Sequence, residues 1–159
     1  MLRIQYTKKH GGVTFKGGQC YTFSYNAYEN DPNPLVFFMY AIVGINPKTG
    51  HQWRLIQCIN LNYIPRGQRK LFVSVWKNKM AKSKSVKLTW EYVIKNFPFM
   101  KNAIRRYMLK PNYYIRKVKY IPPDKYEEEI IKSWAKDFSG AIKRGFFSTI
   151  KKWVVGSRR

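Results

Sequence analysis

Three observations predict an α+β fold for this chain. Short runs with β-type alternation and turn signals fill the first half. Apolar residues at helical spacing dominate the second half. No apolar stretch approaches the ~18 residues needed to span a membrane, so a packed core is the expected fate of the hydrophobic residues. The expected architecture is a small SH3-like β-barrel or bent antiparallel sheet at the N-terminus, followed by a helical C-terminal half.

The elements follow in order. Gly11-Gly12 and Gly17-Gly18 are turn signals. In Gln19–Tyr25, Cys20, Thr22 and Ser24 alternate with Tyr21, Phe23 and Tyr25, which is the pattern of a half-buried strand. Tyr28–Pro34 is a loop built on Asn, Asp and Pro. Leu35–Val43 is a nearly continuous apolar run of strand length, as expected for a central strand. Asn46-Pro47-Lys48-Thr49-Gly50 has hairpin composition, and a third strand resumes from Trp53 to Tyr63. Over Gln68–Met80, the residues Leu71, Phe72, Val75 and Trp76 fall at helical spacing. Lys77–Lys87 then reads as a basic, Ser-containing linker. Thr89 is placed to cap a helix carrying Trp90, Val93, Ile94 and Phe97, which Pro98 interrupts.

A second short helix is expected to turn Met100, Ala103, Ile104, Tyr107 and Met108 inward. Tyr113–Ile121 alternates apolar and basic residues, so it is a strand with one cationic face. Pro122-Pro123-Asp124 opens a helix with Tyr126, Ile130, Ile131, Trp134 and Phe138 at its spacing. Asp124, Glu127, Glu128 and Glu129 crowd its first turns, where the helix dipole favours them. After a break at Ser139-Gly140, residues 141–155 have the pattern of a basic amphipathic helix that docks on its own domain, in a partner's groove, or on an anionic membrane surface. The expected organisation is therefore a β-rich unit over 1–66, a mainly helical segment over 67–138, and the basic tail over 139–159.

Charge is the strongest functional signal. Thirty-one Lys and Arg oppose eight Asp and Glu, giving a formal net charge of +23. Such an excess self-repels in a compact body and calls for a polyanionic partner. Nucleic acid fits, because each cation at a phosphate releases condensed counterions. The basic residues form clusters at Arg66, Arg69 and Lys70, then at Lys77, Lys79, Lys82, Lys84 and Lys87. Further clusters are Arg105 with Arg106, and Arg116 with Lys117 and Lys119. This spread suggests phosphate contact over an extended surface rather than a base-reading helix.

Carboxylate-based catalysis has little to build on. Only Glu29 and Asp31 precede residue 91, and Asp31 suits a turn role. His10 and His51 are isolated, and no Ser-His-Asp order or P-loop is present. No cofactor or metal is expected. Cys20 and Cys58 lie in strand-like apolar runs and read as buried reduced thiols. With no signal-peptide h-region, the expected setting is intracellular or inside a virion.

Five segments carry a family resemblance. Gln19-Cys-Tyr-Thr-Phe-Ser-Tyr25, Pro34-Leu-Val-Phe-Phe and Ile59-Asn-Leu-Asn-Tyr-Ile-Pro65 with Arg69 come first. Ala103-Ile-Arg-Arg-Tyr-Met108 and Lys119-Tyr-Ile-Pro-Pro-Asp-Lys-Tyr126 follow. In this order they resemble a group of small proteins of large T-even-like tailed phages, some labelled DNA end protectors. The resemblance spans roughly residues 19–131. Asn62 stands where that group usually has His, Tyr126 where it has Trp, and the tail after residue 139 is not covered. The resemblance implies a structural protein of the virion, assembled in the host cytoplasm, with DNA and other virion proteins as partners. The alternative is a tail, neck or baseplate component docking on acidic protein subunits without contacting DNA. An RNA-binding small-barrel module would share the charge but not these segments.

Overall fold

The computed structural model describes residues 2–26, 31–82, 87–109 and 115–138. Strands β1 (Leu2–Gln5), β2 (Thr7–His10), β3 (Val13–Lys16), β4 (Cys20–Tyr25), β5 (Leu35–Ile45) and β6 (Gln52–Asn60) come first. Helices α1 (Arg66–Lys82) and α2 (Trp90–Asn96), strands β7 (Ile104–Met108) and β8 (Ile115–Ile121), and helix α3 (Tyr126–Ser133) follow. The content is mixed α and β, with the three α-helices all following β6.

The main sheet is antiparallel and open, in the order β7-β6-β5-β4-β8, with β1 also paired to β5. It takes the bent-sheet form of the prediction; the SH3-like barrel is corrected. Closure would need a ladder between β7 and β8, and none is present among the described residues. The concave side is instead filled by rings and covered by the β2–β3 hairpin. Tyr25 and Tyr107 stand edge to face at 5.1 Å, although β5 and β6 separate their strands. The sheet is thus strongly curled without joining.

The central strand β5 is apolar throughout because both its faces are covered. One side of the sheet packs under the helices through Leu35, Phe37, Met39, Ile59, Phe72, Trp76 and Ile130. The other packs under the hairpin through Phe15, Phe23, Val36, Phe38, Ile56 and Tyr107. Register along β5 shifts between Phe38 and Tyr40, which pair with Cys58 and Gln57, so Met39 is an extra bulged residue. The bulge falls where the edge partner of β5 changes, with β4 pairing up to Phe37 and β1 from Ala41 onward.

The β2–β3 hairpin closes through Gly11 and Gly12, both at positive φ (+56° and +82°). A two-residue turn of this hand matches strand twist, and glycine adopts it freely. The Asn46–Gly50 hairpin forms as expected, with Asn46 Oδ1 accepting from the Lys48 and Thr49 amides.

Several expectations shift. α1 extends through Lys82, so the first part of the basic linker is helical. Its buried face carries Arg69, Phe72, Val73 and Trp76, while Leu71 and Val75 are exposed. The expected helix ending at Met108 is a 3-10 turn (Pro98–Ala103) running into strand β7. Pairing to β6 fixes that strand, with Tyr107 opposite Ile56 and Arg106 opposite Gln57. The helical half is therefore not a separate layer, because it supplies both β7 and β8 to the sheet. Three strands precede Gly17 where the sequence offers only turn signals. The predicted tail helix over 139–159, Glu29 and Lys84 lie outside the described residues.

Candidate nucleic-acid interface

The expected interface residues divide by environment. α1 carries no acid in its 17 residues, so its outer face is purely cationic and polar with two apolar interruptions. Lys70, Lys77 and Lys82 are exposed on it. Lys79 lies back over the Tyr92 ring, 3.6 Å from its centre, and the ring holds the ammonium at the surface. Arg66 begins the helix, where a cation opposes the helix dipole. Its side chain finds compensation by donating to the Trp134 carbonyl and approaching Asp137 at 4.0 Å.

Arg69 is a correction. It is fully buried, beneath the helix rather than on it. Its Nε donates to the Ile64 carbonyl at 3.0 Å, and its terminal nitrogens donate to the carbonyls of Asn62, Ser133 and Lys136. Asp137 lies 3.4 Å away. These partners consume the guanidinium, so it cannot meet a phosphate. The residue instead ties α1 to the turns after β6 and α3.

On β8, Arg116, Lys117 and Lys119 are all exposed. This strand is one edge of the sheet, and cations there also discourage edge-to-edge pairing. Register against β4 shifts between Thr22 and Ser24, leaving Lys117 and Val118 opposite Phe23. Lys117 takes φ +53°, a left-handed conformation costing about 1–2 kcal/mol for a residue with a Cβ. At the opposite edge, Arg105 stacks on the Tyr63 ring at 3.9 Å. Arg106 donates from Nε to Gln57 Oε1, and Gln57 donates in turn to the Tyr40 hydroxyl. Lys87 reaches the Tyr6 ring, 4.6 Å from its centre.

The ion pairs among the described residues involve Arg66, Arg69, Lys125 and Lys132. No described carboxylate lies within 4.0 Å of Lys70, Lys77, Lys79, Lys82, Lys87, Arg105, Arg106, Arg116, Lys117 or Lys119. These cations occupy the helical layer and both sheet edges, so the structure gathers them into no single patch.

A further basic group has no counterpart among the expected clusters. Lys8, Lys9, His10, Gln52 and Arg54 line a recess of about 380 Å³ beside the hairpin. The signal available in the sequence is the alternation of Lys8 and His10 just before the Gly11-Gly12 turn.

Asp31 is buried rather than poised in a surface loop. It accepts from Asn60 Nδ2 at 2.6 Å and from Asn62 Nδ2 at 3.4 Å. Asn60 Nδ2 also donates to the Tyr107 hydroxyl. Burial pushes the Asp31 carboxyl above its ordinary value, and these amide donors oppose the shift. Each of its described partners is structural. Cys20 and Cys58 are both free and buried, and burial pushes both thiols up. Among the described residues, no three His, Cys, Asp or Glu side chains converge to hold a metal ion. No described helix is long and apolar enough to cross a membrane.

No family model, curated protein or solved structure matches this chain.

Proposed function

We propose that this protein is a non-catalytic structural component of a tailed-phage virion that binds DNA along its phosphate backbone without sequence preference. The observation that carries the reading is the set of unpaired surface cations. Lys70, Lys77, Lys82, Arg116, Lys117 and Lys119 are all exposed, on different sides of the fold, with no described carboxylate in ion-pair range. Cations spread in this way neutralise phosphates over a wide surface rather than converging on the base edges of one groove. Tyr92, Tyr6 and Tyr63 lie under Lys79, Lys87 and Arg105, reducing the conformational freedom those side chains lose on contact. The virion setting rests on the five resembling segments.

Fluorescence anisotropy with two unrelated duplexes over a series of salt concentrations tests the reading. Affinity for both should fall together, with a log–log slope of about −0.9 per phosphate neutralised. Replacing Lys70, Lys77 and Lys82 by Gln should flatten that slope by up to about 3. No binding, a salt-insensitive affinity, or strong preference for one sequence would count against it.

One feature favours the second reading, docking on acidic protein subunits. Leu2, Ile4 and Met108 are exposed on the sheet beyond the helical cover, and Ile4 pairs with Ile42. Apolar surface of this kind suits a protein neighbour and gains nothing from phosphates. Locating the protein in intact particles, with or without nucleic-acid density against α1, separates the two.

A further inference from the structure

The recess beside the hairpin brings cationic side chains from β2 and β6 around one space. Lys8 pairs with Phe15 across the β2–β3 ladder, so the two share a face. Phe15 is fully buried against Phe23 and Phe38, which turns that face toward the sheet. His10, two residues on, shares the side. Its Nε2 lies 3.0 Å from the Ile115 carbonyl oxygen, fixing the ring at the start of β8. Arg54 comes from β6, on the same face as the buried Ile56 two residues later. Its guanidinium donates to Gln52 Oε1 at 2.9 Å, and its carbonyl accepts from the Leu109 amide. Lys9 completes the rim.

Two ammonium groups, a guanidinium and an imidazole thus surround one open space, with no carboxylate among its described lining residues. We propose that this recess is a seat for a phosphoryl oxyanion. Donors arriving from several directions suit a tetrahedral, multiply charged group; a planar carboxylate is satisfied by one guanidinium fork. Partial burial and the nearby Arg54 charge already press the Lys8 ammonium below its ordinary value. An anion seated between the two cations relieves that repulsion. The seat does not depend on the duplex-binding reading above, and either can stand without the other.

Two sources carry the group: a free oligophosphate, or a phosphate of a nucleic-acid backbone. Inorganic pyrophosphate is the first probe, titrated at low salt and followed by calorimetry and by amide NMR shifts. Saturable one-to-one binding is expected, with shifts concentrated in Thr7–Gly12 and Gln52–Arg54. Lys8→Gln with Arg54→Gln should weaken it about tenfold or more, while Lys8→Arg with Arg54→Lys should largely retain it. A control removing the same charge elsewhere, Lys95→Gln with Lys101→Gln, should change it less than about twofold. A duplex that shifts the same amides marks the backbone as a source; pyrophosphate alone doing so marks a free phosphate. Both outcomes support the seat. Unsaturable binding, shifts scattered over all basic surfaces, or equal loss in the control would overturn it. The wild-type shift map decides the matter even where the double variant fails to fold.

Discussion

Arg69 illustrates how residue type alone misleads in a chain this basic. It stands between Arg66 and Lys70 in a surface-like run, yet its guanidinium serves four backbone carbonyls and Asp137. Arg69→Ala strands those acceptors in the interior. We expect a loss of about 3–5 kcal/mol by urea unfolding, with unchanged DNA affinity per folded molecule. Asp31 gives a second residue-scale test. Its folded-state value lies above the ordinary 3.8, so the native state holds the proton more tightly than the unfolded chain does. Its ionisation therefore costs stability as pH rises from 3.8 through the folded value, and the full cost persists above it. Relative to wild type, Asp31→Asn should gain stability as pH rises through that window, measured as the difference in urea midpoints between acid and neutral pH. A gain in the opposite direction would mean that the Asn60 and Asn62 amides outweigh burial.

At the scale of elements, α1 is joined to the sheet by a directed contact as well as by apolar packing. Trp76 is fully buried, and its indole N–H donates to the Gly18 carbonyl at 2.7 Å. Trp76→Phe removes the donor, leaves that carbonyl unpaired and opens space against Tyr92. A loss of about 2–4 kcal/mol is expected in chemical denaturation. The elements legible in the sequence are those with long patterns: the apolar run of β5, the alternation of β4 and β8, and Thr89, whose hydroxyl accepts from the Tyr92 amide. Strands β1, β2 and β3 have only four residues each, too few for a period to emerge. β7 fails for a related reason. Met100, Ala103, Ile104 and Tyr107 satisfy helical spacing, while Ile104-Arg-Arg-Tyr-Met108 does not alternate apolar with polar. Pairing with β6 decides, and no local pattern reports it. The candidate site divides in the same way. Exposed cations such as Lys70 and Lys119 follow from composition and position. Arg69's bonds to Ser133 and Lys136 and the meeting of Lys8 with Arg54 are contacts 46 or more residues apart.

The whole molecule is a sheet between two unlike covers: helices on one side, a four-residue-stranded hairpin on the other. The hairpin cover rests on few backbone bonds and on Phe15, so it should open at lower cost than the helical cover. The two free cysteines stand on opposite sides of that sheet, Cys20 beneath the helices and Cys58 beneath the hairpin. Each is shielded from solvent until its own cover lifts. The chain thus carries a pair of native chemical clocks. In single-cysteine variants, the thiol-labelling rate of Cys58 times departure of the hairpin, and that of Cys20 times departure of the helices. Faster labelling at Cys58 is the expected order. A phosphoryl ligand seated at the hairpin should slow the Cys58 clock and leave the Cys20 clock running at its own pace.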